Sequence, residues 1–192
     1  MSKSVFSEND FNSDNGMLTK VWGPPLWYFL HSISFNYPIN PTTEDKKNYY
    51  NFFLNLRYIL PCKYCRENLK KNYQETKFSL KVFKNRQTLS NWVYDLHNHI
   101  NIMLGKKVYS TYDKVRESYE NFRSRCSLDN SKKKCLRNLV IKQNSKKKIK
   151  EKGCLTPLYG VKSKCCLTFV PASSKKETLK IDKRCLVKKI YI

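Results

Sequence analysis

A proline cuts a helical apolar run immediately ahead of two closely spaced thiols, and this junction constrains the chain more than any other stretch. Tyr49, Phe52, Phe53, Leu56, Tyr58, Ile59 and Leu60 follow a mostly helical spacing. Pro61 ends that run, because its ring fits a helix start but not a helix interior. Cys62-Lys63-Tyr64-Cys65-Arg66 then opens a helix carrying Lys63 to Tyr73, with Cys62 at its N-terminus. The helix dipole, Lys63 and Arg66 favour a thiolate there, and the thiolate is the species that attacks disulfides. Two thiols at this spacing can close a small disulfide. The same Cys-x-x-Cys is half of many zinc sites, so a redox pair, a zinc half-site and inert thiols all stay open on these residues alone.

The flanking segments point to a helical bundle. Trp22-Gly23-Pro24-Pro25 ends a loose arm, residues 1–20, and starts a helix over Leu26 to Phe35 that closes before Tyr37-Pro38. Trp27 and His31 are four apart and share a face of it; taken alone they read as a core Trp and a satisfied His. Thr42 or Thr43 caps a helix entering at Glu44. Residues 78–86 read as a mixed connector. A further helix, Asn91 to Leu104, is capped by Thr88 or Ser90 and buries Trp92, Leu96, Ile100 and Met103 or Leu104. His97 and Asn101 are four apart beside that stripe. Gly105 terminates it, and Asp113 to Phe122 forms a short fifth helix. Only 5 glycines in 192 residues suit helices better than a sheet-and-turn fold. The expected class is all-α, a four-helix bundle plus a short fifth helix.

Composition changes after Arg125. Residues 126–192 hold 19 of the 38 Lys and Arg but 4 of the 15 Asp and Glu, so +15 of the +23 net charge lies there. Cys126, Cys135, Cys154, Cys165, Cys166 and Cys185, six of the eight cysteines, also fall in this segment. The division expected is an arm (1–20), a helical domain (21–125) and a basic cysteine-rich extension (126–192) of unassigned fold. Leu167-Thr168-Phe169-Val170 and residues 187–192 read as short strands. No apolar run is long enough to span a membrane, and Met1 to Lys20 lacks the apolar centre of a secretory signal.

The separated motifs gain meaning together. Trp27-x-x-x-His31, Tyr37-Pro38, Pro61-Cys62-x-x-Cys65 and Trp92-x-x-x-x-His97-Asn98-x-Ile100-Asn101-x-x-Leu104-Gly105-Lys106 occur in one order. Over about residues 21–120 this resembles the FAD-linked sulfhydryl oxidases of the Erv/ALR family. The resemblance implies a bundle, usually a homodimer, that holds FAD in its mouth. The implied chemistry converts the paired thiols of a protein substrate to a disulfide and passes electrons to FAD and then to O2, giving H2O2. It implies Cys65 as the flavin-proximal thiol and Cys62 as the interchange thiol. Gly23, Trp27, His31, Tyr37, His97, Asn98, Ile100, Asn101, Leu104, Lys106 and Tyr109 match positions of FAD contacts, and Lys114 and Tyr119 match less closely. These residue types suit the task. An indole packs on a flat ring, His and Asn bond polar edges, and a Lys meets phosphate. No metal ligand set is assigned.

The chain departs from the family pattern in three places. Gly23-Pro24 stands where many members have Gly-Arg. Tyr94 and Ser110 or Thr111 stand where many carry a structural disulfide, and Gly105-Lys106-Lys107 lacks a following Pro. The family's shuttle disulfide, if present, falls in the extension, at Cys165-Cys166 or a pair including Cys154 or Cys185, against the competing reading of structural disulfides or spare thiols. Two other functions remain as alternatives: a zinc-binding basic nucleic-acid-binding protein and an inactive helical scaffold. The partners expected are protein dithiols, including a thioredoxin-like carrier, O2, a second copy, and a nucleic acid or acidic partner at the basic extension. The resemblance implies host cytoplasm and virion for a viral member, with the mitochondrial intermembrane space as the alternative.

Overall fold

The structure, a computed structural model, describes residues 7–109 and 111–124, residues 154 and 158, and the backbone of strands over 165–167 and 179–181. The chain divides into two compact units, Met1–Tyr119 and Glu120–Ile192. In order along the chain lie α1 (Glu8–Phe11), α2 (Thr19–Phe35), α3 (Thr43–Ile59), α4 (Lys63–Glu75), a 3-10 turn (Leu80–Lys84), α5 (Arg86–Met103), α6 (Tyr112–Glu120), β1 (Cys165–Leu167) and β2 (Leu179–Ile181).

The first unit is the helical bundle expected from the sequence. α2 packs on α5, α3 on α4, and α4 on α5. The core gathers Leu30, Tyr37, Phe53, Leu56, Leu69, Tyr73, Phe83, Leu89, Trp92, Val93 and Leu96. Aromatic rings dominate it: Phe53, Tyr73 and Phe78 each lie 5.0–5.5 Å from the Trp92 ring. Their polar tips are satisfied, since Tyr73 Oη donates to Phe53 O (2.7 Å) and Trp92 Nε1 to Thr76 O (3.1 Å). This matters because a buried unpaired hydroxyl or indole N–H costs stability. Truncating the fully buried Phe53 to Ala would cost about 3–5 kcal/mol.

Helix boundaries differ from expectation where side chains outside the apolar pattern make the caps. α3 starts as expected, with Thr42 and Asp45 forming a reciprocal capping box. α5 begins five residues early. Asn85 caps it through Thr88 N, Thr88 Oγ1 accepts from Asn85 N and donates to Val82 O, and this ties the 3-10 turn to the helix. α2 also begins early, at Thr19, so Gly23, Pro24 and Pro25 lie inside the helix rather than ahead of it. Proline φ is helical, and the missing N–H groups at 24 and 25 leave only carbonyls of the first turn without donors. α4 ends in a Schellman motif: Phe78 N donates to Tyr73 O, Lys77 N to Gln74 O, and the Tyr73 and Phe78 rings stack at 4.5 Å. Lys77 takes the left-handed conformation there (φ 56°), a position normally given to glycine, so no sequence signal marked it.

The arm is not wholly loose. α1 is a single turn closed by a Ser7–Asp10 capping box. In the second unit, Glu120 and Arg123 pair through two contacts, and Leu158 N donates to Arg123 O (2.8 Å). β1 and β2 pair antiparallel with Cys165 opposite Ile181 and Leu167 opposite Leu179. The expected strand at 167–170 thus begins two residues earlier. Residues 168–170 and 187–192, Cys126, Cys135 and Cys185, and both triple-lysine runs lie outside the described residues. Cys154 is disulfide-bonded.

Candidate active site: a helix-capping disulfide and a buried histidine pair

Cys62 is the N-cap of α4, in extended conformation, and its Sγ accepts from Cys65 N at 3.2 Å. One turn on, Cys65 faces back toward it, and the two form a disulfide across a Cα separation of 5.2 Å. The motif is locked into the bundle through the last carbonyl before Pro61: Leu60 O accepts from Cys62 N (2.8 Å) and from Arg66 Nη1 (2.6 Å). Arg66 therefore seals the α3–α4 corner, and its guanidinium is held by a backbone carbonyl rather than by a sulfur. Both cysteines are half-buried, and Tyr64 between them is exposed. Joined in this way, the pair offers no thiolates for zinc. Among the described residues no group of three His, Cys, Asp or Glu is arranged to hold a metal ion.

The end of the N-terminal arm is fastened across this motif. Met17 N donates to Pro61 O at 2.8 Å, and Trp22 Nε1 donates to Met17 O at 2.9 Å. Gly16 passes so close that a Cβ there would lie 2.7 Å from Pro61 O, which makes glycine a steric requirement. The first residue of α2, Thr19, then sits with its Oγ1 3.9 Å from Cys65 Sγ.

Farther along α2, eight residues or ~12 Å of rise beyond Thr19, Trp27 stacks on His97 of α5 with ring centres 3.9 Å apart and planes 3° off parallel. His31 Nε2 and His97 Nδ1 share a hydrogen bond of 2.9 Å inside the bundle. Burial pushes His31 down to about 4. Burial, the neighbouring His31 and the Lys106 charge push His97 down to about 3. Both rings are neutral near pH 7, so one nitrogen of the shared bond carries the proton and the other accepts it. Tyr119 stacks on His31 (5.1 Å) and on Phe35 (5.3 Å), and Tyr109 meets His97 edge-on (5.0 Å). Burial raises the Tyr119 hydroxyl well above the ordinary phenol value, keeping it protonated. The result is an aromatic wall around two neutral imidazoles.

Within this wall, His31 Nδ1 is buried and has no hydrogen-bond partner. An unpaired polar nitrogen at such a site is costly, and a bound polar edge would satisfy it. The residues present therefore fit a flat aromatic cofactor with hydrogen-bonding edges. A nearby cation suits phosphate: Lys106 lies close enough to affect His97. Lys114 is exposed on α6.

Trp27, His31, His97, Tyr109 and Tyr119 come together here. Asn101 is buried on the same helix, Ile100 packs on the core, and Leu104 caps the helix end, exposed. Gly105 (φ 62°) completes a second Schellman motif in which Lys106 N donates to Asn101 O at 2.8 Å. That turn is what sets Lys106 beside the end of α5. Asn98 is committed elsewhere. Its Oδ1 accepts from Tyr109 N (2.9 Å) and its Nδ2 donates to Tyr109 O (3.3 Å), while Tyr94 Oη donates to the same carbonyl (3.1 Å). This clasp pins the segment after Gly105 to α5, at the place where the resemblance implies a lost disulfide. Gly23 lies within α2, where an added Cβ would make ordinary contact with Thr19. Tyr37 is not brought to the wall. It is 0% exposed, packs on Tyr49 and Phe83, and donates to Phe83 O (3.0 Å). The arm contact at Thr19, the Asn98–Tyr94 clasp and the part of Phe35 in the wall had no motif to announce them.

Comparison with known proteins gives this geometry its family. The Erv1 / Alr family matches residues 24–120, just over half of the chain and every residue of the wall and the disulfide. A probable FAD-linked sulfhydryl oxidase of Acanthamoeba polyphaga mimivirus is 40% identical over 104 residues, which covers 54% of this chain and 72% of that protein. The mitochondrial FAD-linked sulfhydryl oxidase erv1 of Schizosaccharomyces pombe is 32% identical over 88 residues, 46% of this chain and 48% of that protein, so this chain spans about half of that relative. An FAD-linked sulfhydryl oxidase of African swine fever virus is 27% identical over 99 residues, 52% of this chain and 80% of that protein. The matched segment runs from the proline pair of α2 to the end of α6, and it contains both the capping disulfide and the histidine wall: the chain belongs to the Erv1 / Alr family.

Proposed function

We propose that the chain is an FAD-linked sulfhydryl oxidase, which oxidises paired thiols of protein substrates to disulfides and passes the electrons through FAD to O2, giving H2O2. The observation that carries this is the Cys62–Cys65 disulfide at the N-terminus of α4, inside the segment matched to the family. FAD, when bound, supplies the two-electron acceptor that returns the dithiol to the disulfide and hands electrons to O2.

The chain's own residues do the rest. An incoming substrate thiolate attacks Cys62 Sγ, the Cys62–Cys65 bond breaks, and Cys65 leaves as a thiolate. The second substrate thiol then displaces Cys62. The substrate has lost two electrons and two protons; the enzyme pair holds the electrons, with one proton on Cys62 and the other released to solvent. The helix N-terminus favours negative charge on these sulfurs. Trp27 and the Tyr119 wall supply flat apolar contact. His31 Nδ1 meets a polar cofactor edge, and its role is tied to the other ring: a proton on His31 Nδ1 requires His97 Nδ1 to donate, and a bare His31 Nδ1 requires His97 Nδ1 to accept. Asn101, Ile100 and Leu104 line the α5 side, and Lys106 and Lys114 answer phosphate charge. Tyr37 and Asn98 act by holding the frame.

The viral sources of two of the relatives support host cytoplasm and virion as the setting, and the mitochondrial yeast relative supports the intermembrane space instead; fractionation of expressing cells separates the two. A homodimer follows the family resemblance and is read by light scattering. The +15 segment 126–192 suits an anionic partner, with binding that weakens as salt rises. The oxidase reading itself is tested by oxygen uptake with dithiothreitol. Wild-type protein supplied with FAD consumes oxygen and Cys65→Ser does not; absence of uptake by the wild type rejects the reading.

A further inference from the structure

We infer that Thr19 is a thiolate-stabilising residue of the redox centre, delivered to Cys65 by the strap that fastens the arm to Pro61. In the disulfide state Cys65 Sγ has no proton to give, so across the 3.9 Å contact Thr19 Oγ1 is the donor. When a substrate thiolate attacks Cys62, charge collects on the departing Cys65 sulfur, and the same hydroxyl faces it. A hydrogen bond to an ionised sulfur is stronger than one to a neutral sulfur. Thr19 therefore favours the reduced pair over the disulfide and the Cys65 thiolate over its thiol.

The placement is built rather than incidental. Thr19 is the first residue of α2, and its position follows from three fixed points just before and after it: the close approach of Gly16 to Pro61 O, the Met17 N–H to Pro61 O bond, and the Trp22 Nε1–H to Met17 O bond. Pro61 is also the residue next to Cys62, so the strap references Thr19 to the motif it acts on. The inference gains its meaning from the oxidase reading, but it concerns sulfur ionisation alone.

The test needs neither flavin nor oxygen. Lys63 lies between the two cysteines, so trypsin places Cys62 and Cys65 on separate peptides. Full-length reduced protein is alkylated anaerobically across a pH series, and the rate at each cysteine is read by mass spectrometry. In Thr19→Val the Cys65 pKa is expected to rise by about half to one pH unit, a three- to tenfold smaller thiolate fraction on the acid side, as for loss of one long hydrogen bond to a charged group. Equilibration with glutathione buffers is expected to show a disulfide harder to reduce by a similar factor. Thr19→Ser restores both values, and the Cys62 profile moves less than that of Cys65. An unchanged Cys65 profile in Thr19→Val overturns the inference. So does a shift that Thr19→Ser fails to reverse, because methyl packing rather than the hydroxyl would then be responsible. Failure of the oxidase reading would appear separately, as absent oxygen uptake in wild-type protein.

Discussion

Lowering the pH from about 7 to about 5 should destabilise the protein through the His31–His97 pair, and the size of the effect follows from the structure. Unfolded, each imidazole takes a proton near its ordinary value of 6.5; folded, burial holds His31 neutral down to about 4. The folded value is the lower one, so the stability that comes from burying the neutral ring is complete above 6.5. It is lost as pH falls toward 4, because the unfolded chain binds the proton more readily. For His31 the loss at about pH 5 is about 2 kcal/mol. His97, also held neutral by burial, adds a loss of the same order, because it too stays unprotonated in the folded state at about pH 5. Urea unfolding at the two pH values, in wild type and in His31→Gln, isolates the effect. Glutamine keeps a donor and an acceptor but does not titrate, and the exposed carboxylates contribute equally to both proteins. The drop in stability should be smaller by about 2 kcal/mol in His31→Gln. An equal drop in both would refute the assignment of a buried, proton-free pair.

Two further predictions concern the turn that ends α4 and the clasp that ties the segment after Gly105 to α5. Lys77→Gly should stabilise the chain by about 1 kcal/mol, because it relieves a left-handed conformation at the end of α4, and thermal unfolding reads the change. Asn98→Ala removes both bonds to the Tyr109 backbone; it should cost about 1–2 kcal/mol and speed hydrogen exchange at the Tyr109 amide well beyond its effect at Trp92.

The bundle was legible because its information is periodic. Apolar residues recur at helical spacing in α3 and α5, and Pro61 and Gly105 punctuate them. The redox pair was legible because Cys-x-x-Cys after a proline has a local geometry. What could not be read was whatever depends on a partner distant in sequence. Thr19 is an unremarked polar residue until Gly16 and Met17 dock on Pro61, 45 residues away in the chain from Gly16. Asn98 reads equally as a cofactor contact or a backbone clasp, and the choice depends on where Tyr109 folds back. Tyr37 sits next to a proline in a family motif, yet its ring is taken up by Tyr49 and Phe83. The start of α5 is ambiguous in sequence because Asn85, Thr88 and Ser90 are all acceptable caps and the choice rests on the Thr88–Val82 bond. The start of α2 is hidden because Pro24 and Pro25 mark a helix start yet lie inside its first two turns.

The central claim is that electrons leave substrate thiols through Cys62–Cys65 to a flavin held at the histidine wall. Anaerobic mixing of the FAD-loaded full chain with dithiothreitol tests this most directly, with flavin absorbance followed before and after oxygen is admitted. The account predicts bleaching in wild type and recovery on aeration, with no bleaching on the same timescale in Cys62→Ser or Cys65→Ser. A protein that retains no flavin, or one whose flavin bleaches equally fast without these two cysteines, would contradict it.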